Sequence, residues 1–104
     1  MTARSQRSLD MEIVLLSERF TREFHDWLDE NWGIWLRFRE EADKIRATGR
    51  THYGARTIAE FIRHETALRE RGDFKLNNNM VPDLARLYML VTPDSEKFFE
   101  TRMR

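Results

Sequence analysis

Apolar side chains recur three and four positions apart along most of the 104-residue chain, a spacing typical of helices that bury one face. Glycine interrupts the pattern at Asn31-Trp32-Gly33 and again at Gly49, where a helix is expected to end. Four longer helices are predicted, over residues 9–30, 34–48, 55–70 and 80–91. The third begins at residue 55, or at 57 if Thr57 and Glu60 form a capping box.

A short fifth helix is predicted after Thr92-Pro93, because threonine caps a helix and proline suits its first position. Residues 74–76 alternate between apolar and polar, so we expect a short strand or a wing-like loop there. The expected fold is therefore all-α. It is a single compact domain of about five helices over residues 8–104, after a flexible N-terminus at residues 1–7.

The predicted core is rich in aromatic side chains at helical spacing, which favours packing over ligand binding. These aromatic residues are Phe20, Phe24, Trp27, Trp32, Trp35 and Phe38. The residues expected to face inward on the third helix are Ile58, Phe61, Ile62 and Leu68. Phe98 and Phe99 are expected to dock the last helix on the core.

Composition argues against several kinds of function. The chain has no cysteine, which excludes a disulfide, a thiol nucleophile and a cysteine zinc site. No apolar run approaches the roughly 20 residues of a membrane span, and no phosphate-binding glycine loop is present. Glu60 and His64 lie one helical turn apart, a spacing better explained by a helix pair than by a metal site. We expect a cytoplasmic, non-enzymatic protein with no cofactor, metal or membrane association.

Charge is unevenly distributed, although the formal net charge is zero. Residues 8–43 carry ten acidic residues and four arginines, a net charge of −6. Residues 44–75 carry eight basic and four acidic residues, a net charge of +4. Both charged regions could simply be solvent-exposed helix faces, and this explanation requires no binding function. Alternatively, the basic middle favours a nucleic-acid partner and the acidic first third favours a protein partner.

The basic middle has the order of a helix-turn-helix unit. A helix ends near Gly49, a turn follows, and the next helix begins with polar side chains, which in such units reach the major groove. The candidate DNA-binding residues are Arg50, His52, Tyr53, Arg56, Thr57 and Arg63. Arg50 is expected to contact phosphate, and the residues of the helix are expected to lie nearer the groove. Duplex DNA is therefore the first predicted partner.

An ordered set of short segments follows Trp35. They are Phe38, Gly49-Arg50, Ala55-Arg56-Thr57-Ile58-Ala59-Glu60, Arg63, Phe74-Lys75-Leu76-Asn77-Asn78-Asn79, Pro82, Ala85-Arg86-Leu87, Pro93 and Phe98-Phe99-Glu100-Thr101-Arg102. In these segments the chain resembles a group of small proteins encoded by bacteriophages and prophages, which have no assigned biochemical activity. The resemblance implies a phage or prophage origin and action inside a bacterial host. It implies no reaction and no catalytic residue.

Three features weigh against DNA binding. The turn is longer than the usual three to four residues, and Glu60 and Glu65 would repel phosphate. The whole chain is also neutral, whereas a strong DNA binder often has a basic domain. The alternative is a factor that binds or inhibits a host protein or defence complex, since an acidic surface suits a basic nucleic-acid channel. The candidate residues of that surface are Asp26, Asp29, Glu30, Glu40 and Glu41. A homodimer formed through the first helix is compatible with either function.

Overall fold

The computed structural model describes residues 20–69 and 78–99, and within them the chain is helical with no strand. The elements are α1 (Arg22–Glu30), α2 (Trp32–Ala47), α3 (Ala55–Arg69), a 3-10 turn (Asn78–Met80) and α4 (Val81–Val91). The predicted all-α class is confirmed for these residues. The expectations for residues 1–7 and for the strand or wing at 74–76 lie outside them.

The start of α1 differs from the prediction of one helix over residues 9–30. Thr21 has extended backbone angles (φ −82°, ψ 163°), and its hydroxyl accepts a hydrogen bond from the Phe24 N–H at 3.0 Å. A threonine in this conformation caps a helix, because its side-chain oxygen satisfies one of the first N–H groups. A continuous helix through Thr21 is therefore wrong. Residues 9–19 lie outside the described part of the chain.

The predicted break between the first two helices is confirmed, but it lies at Asn31. The Asn31 N–H closes α1 by donating to the carbonyl of Trp27 at 2.9 Å. The Asn31 carbonyl then accepts from the Ile34 N–H at 2.9 Å and begins α2. Gly33 consequently lies in the first turn of α2 instead of interrupting a helix.

The end of α2 matches the prediction, and α3 begins at Ala55, the first of its two predicted starts. Gly49 has φ +94°, a left-handed conformation that glycine adopts without strain. The capping box is wrong, because α3 begins at Ala55 and Thr57 already lies in its first turn. The Thr57 N–H donates to the Gly54 carbonyl at 3.1 Å, while the carboxylate of Glu60 pairs with Arg63.

The fifth helix is absent from the described residues, and residues 92–99 form turns instead. Asp94 has φ +63°, which a right-handed helix cannot accommodate. Ser95 is buried, and its hydroxyl donates to the Thr92 carbonyl at 2.7 Å. Phe98 and Phe99 are nevertheless buried, so the predicted docking of this segment on the core is confirmed.

The core lies between α2, α3 and α4, and α1 packs against α2. Of the predicted aromatic cluster, three residues are fully buried and three pack around them. The buried ones are Phe24, Trp35 and Phe38, and the half-buried ones are Phe20, Trp27 and Trp32. Phe61 was predicted to face inward but is 48% exposed, and the side chain of Leu68 is not among those described. None of the described helices is long and apolar enough to cross a bilayer.

Candidate nucleic-acid interface

Residues 48–54 connect α2 to α3, and the C-terminal segment holds this loop in place. The Tyr53 N–H donates to the Phe98 carbonyl at 3.0 Å, and Tyr53 forms a parallel bridge with Phe99. Because Phe98 and Phe99 are buried, the loop is anchored to the core although it is longer than an ordinary helix-turn-helix turn. The start of α3, two residues after Tyr53, is therefore held against the C-terminal segment.

Most of the predicted DNA-binding residues are exposed on this loop and on the first turn of α3. Those that are exposed are Arg50, His52, Arg56 and Thr57. Tyr53 is half-buried, and the guanidinium of Arg50 lies 5.4 Å from the centre of its ring. Tyr53 consequently holds the loop against the core, and the Arg50 guanidinium packs over its ring. The ring is therefore not open to stack on a base.

Arg50 and Arg56 differ from most other arginines of the described chain in their partners. Arg37, Arg63 and Arg86 each pair with a carboxylate. Nη2 of Arg46 donates to the backbone carbonyls of Pro93 and Asp94. By contrast, no carboxylate of the described residues pairs with Arg50 or Arg56, and both are exposed. No carboxylate of the described residues therefore neutralises their charge.

Arg63 lies on α3 two turns beyond Arg56, but its surroundings are different. Its side chain is 26% exposed, and its Nη1 lies 2.7 Å from Oε2 of Glu60. Glu60 is exposed beside Thr57 on the helix, and no hydrogen bond or ion pair joins it to His64 in the described residues. The predicted Glu60–His64 pair is therefore replaced by Glu60–Arg63.

The predicted acidic residues fall into two groups. Asp26, Asp29 and Glu30 are exposed on α1, and Glu40 is exposed on α2. Glu41 is only 14% exposed, and its carboxylate binds both Arg37 and Lys44. Glu41 therefore contributes to the internal structure and leaves the acidic surface to the other four.

A cluster of ion pairs around Arg37 was not predicted from the sequence. The Arg37 guanidinium donates to both carboxylate oxygens of Glu65 and also to Glu41 and Glu40. Hydrogen bonds to Glu65 raise the pKa of Arg37; partial burial opposes this shift and Glu41 adds to it. The four-residue spacing of Arg37 and Glu41 could have indicated one contact, but Glu65 lies on another helix. The cluster therefore joins α2 to α3.

Among the described residues, no group of three or more histidine, aspartate or glutamate side chains is arranged to hold a metal ion.

The chain matches no protein-family model, and comparison with curated proteins and with solved structures found no match. The resemblance to phage and prophage proteins therefore stays a prediction. The function has to be inferred from the geometry of the chain's own residues.

Proposed function

We propose that this chain is a small, non-enzymatic protein that binds duplex DNA through a basic surface formed by Arg50, His52, Arg56 and Thr57. The observation that carries the proposal is the exposure of Arg50 and Arg56 without a carboxylate partner among the described residues. Sequence-independent binding to DNA is dominated by such cations, which neutralise phosphates. The resemblance to phage and prophage proteins adds that the protein acts in the cytoplasm of a bacterial host.

The order of the elements supports a helix-turn-helix-like mode of binding. Arg56 and Thr57 lie in the first turn of α3, where the second helix of such a unit meets the major groove. The N-terminal end of a 15-residue helix also carries partial positive charge, which favours phosphate. Arg50, on the loop before α3, fits a backbone phosphate beside the groove.

The partial burial of the Tyr53 ring favours double-stranded over single-stranded nucleic acid as the ligand. Single-strand binding proteins stack bases on exposed aromatic rings. Tyr53 is the tyrosine of this loop, and it is half-buried, bridged to Phe99 and packed under the guanidinium of Arg50. A surface led by Arg50 and Arg56, whose tyrosine ring is not open for stacking, is better suited to a duplex backbone.

The proposal is tested by fluorescence anisotropy of a labelled random-sequence duplex titrated with the full chain at several salt concentrations. We expect micromolar binding that weakens as salt rises. The double variant Arg50→Ala/Arg56→Ala should lower the log–log salt slope by about two, since each phosphate contact contributes about 0.9. Arg22→Ala is the matched control, because Arg22 is exposed on α1 and pairs with no carboxylate of the described residues.

Two results would overturn the proposal. One is the absence of binding at low salt, and the other is a double variant that binds duplex as tightly as the unmodified protein. A labelled single strand of the same length is the comparison for the choice of nucleic acid. Tighter binding to the single strand would refute the duplex as substrate.

A second candidate function is binding of a host protein through the acidic surface. The observation that favours it is the exposure of Asp26, Asp29 and Glu30 on the single short helix α1. Capture of partners from a bacterial host lysate tests it, with an Asp26→Ala/Asp29→Ala/Glu30→Ala variant beside the unmodified protein. A partner that both proteins retain equally would argue against this surface.

A further inference from the structure

We infer that Lys97 belongs to the same DNA-binding surface as Arg50 and Arg56, although it lies more than 40 residues later in the chain. This inference rests on the proposed function. It adds a binding residue in a segment for which the sequence predicted only a helix docked on the core.

The position of Lys97 follows from the contact between the C-terminal segment and the loop. Phe98, the next residue, accepts the hydrogen bond from the Tyr53 N–H, and Phe99 forms the bridge with Tyr53. Lys97 is therefore one peptide unit from a backbone atom that touches the loop carrying Arg50. The Lys97 side chain is exposed.

The charge of Lys97 is uncompensated in the described part of the chain. No carboxylate described there pairs with it, including that of its exposed neighbour Glu96. A lysine ammonium is a compact point charge with three donors and binds single phosphate oxygens well. Lys97 thus shares exposure and lack of a carboxylate partner with Arg50 and Arg56, and the contact of its neighbours with the loop, which Arg22 on α1 lacks among the described residues, assigns it to the same surface.

The backbone before and after Lys97 is held at several points. Nη2 of Arg46 donates to the Asp94 carbonyl at 3.2 Å, and the Phe98 N–H donates to the Ser95 carbonyl at 3.0 Å. Phe98 and Phe99 pack on the ring of Tyr88 inside the core. A cation on a backbone fixed in this way loses less conformational freedom on binding than one on an unanchored chain.

The test is the salt dependence of duplex binding by a Lys97→Gln variant, which removes the charge and keeps most of the side-chain length. We expect the log–log slope to fall by about 0.9, the contribution of one phosphate contact. Lys97→Arg should keep the slope of the unmodified protein, and Arg22→Ala is again the control. Far-ultraviolet circular dichroism checks that each variant keeps its helical content.

The inference and the proposed function fail in different ways. If Lys97→Gln keeps the affinity and slope of the unmodified protein while Arg50→Ala/Arg56→Ala lowers both, only the assignment of Lys97 is wrong. If the unmodified protein binds no duplex, or the arginine variant is unaffected, the proposed function fails and the inference fails with it.

Discussion

Glu65 on α3 accepts two hydrogen bonds from the guanidinium of Arg37 on α2, Nε to Oε1 at 2.8 Å and Nη2 to Oε2 at 2.9 Å. The two residues are 28 positions apart, and this fork joins the two helices that flank the basic loop. The side chains of Arg37 and Glu65 are 24% and 21% exposed, so solvent screens the pair less than a pair on the open surface. Such planar, two-point pairing is specific to arginine.

Replacement of Arg37 should therefore destabilise the fold. We expect Arg37→Lys to lower the free energy of unfolding by about 1 kcal/mol, because the charge remains and the fork is lost. Arg37→Met should lower it by about 2–3 kcal/mol, since Glu41 and Glu65 lose their shared partner. Urea unfolding measures both, with Arg22→Ala expected to stay within about 0.5 kcal/mol of the unmodified protein. Equal stability of the methionine variant would show that the cluster contributes nothing.

A second prediction concerns Tyr88, whose hydroxyl donates to Oδ1 of Asp43 at 2.6 Å. Burial raises the pKa of Tyr88, and the hydrogen bond to Asp43 raises it further, while Arg46 opposes the shift. Because its pKa is higher in the folded state, Tyr88 contributes stability that is fully present below the unfolded pKa of about 10 and is lost as pH rises through the folded pKa. Tyr88→Phe removes both the hydrogen bond and the titrating group.

We expect Tyr88→Phe to lower the free energy of unfolding by about 1 kcal/mol at neutral pH. The difference between the two proteins should shrink as pH rises above about 10. In the unmodified protein the unfolded chain then loses the Tyr88 proton more readily than the folded chain, which favours unfolding, whereas the phenylalanine variant has no such proton. Urea unfolding across that range measures the difference, and titrations common to both proteins cancel. A difference that stays constant with pH would contradict the coupling.

The same substitution should have opposite effects at two glycines. Gly49 has φ +94° and Gly33 lies in the first turn of α2, and a Cβ atom at either would meet nothing within 4 Å. Space is thus available at both, and only the backbone conformation differs. Gly49→Ala should destabilise the protein by about 1 kcal/mol, whereas Gly33→Ala should stabilise it by about 0.5 kcal/mol. Thermal unfolding of both variants tests the difference in sign.

Neighbouring residues in the sequence predicted some helix ends correctly and others wrongly. The end of α2 could be predicted because Gly49 adopts its left-handed conformation within the turn itself. Thr21 and Thr57 both have the chemistry of a cap. The spacing of apolar residues predicted a continuous helix through Thr21, and the Thr57-x-x-Glu60 motif predicted a capping box; both predictions are wrong. Thr21 caps α1, whereas the Thr57 N–H is already bonded to Gly54 inside α3.

Contacts between distant segments could not be predicted from spacing. Thr92-Pro93 has the local pattern of a helix start, but Arg46 on α2 binds the carbonyls of Pro93 and Asp94, and Asp94 takes a positive φ. The bridge from Tyr53 to Phe99 joins residues 46 positions apart, and Lys97 lies two residues before this bridge. A helical repeat describes neighbours on one helix only, so it contains no information about either contact.

The last prediction separates Arg56 and Arg63, two arginines of α3 that were both predicted to lie near the groove. Arg56 has no carboxylate partner among the described residues, whereas Arg63 is bonded to Glu60 and must share its guanidinium with any phosphate. Arg56→Ala should therefore lower the salt slope of duplex binding by about 0.9, and Arg63→Ala should lower it by less than half as much. Glu60→Gln should raise the affinity, because it removes a negative charge and leaves Arg63 with a neutral hydrogen-bond acceptor in place of a carboxylate. Salt titrations by fluorescence anisotropy measure all three variants, and equal losses for the two arginine variants would show that the Glu60–Arg63 pair does not restrain Arg63 in solution.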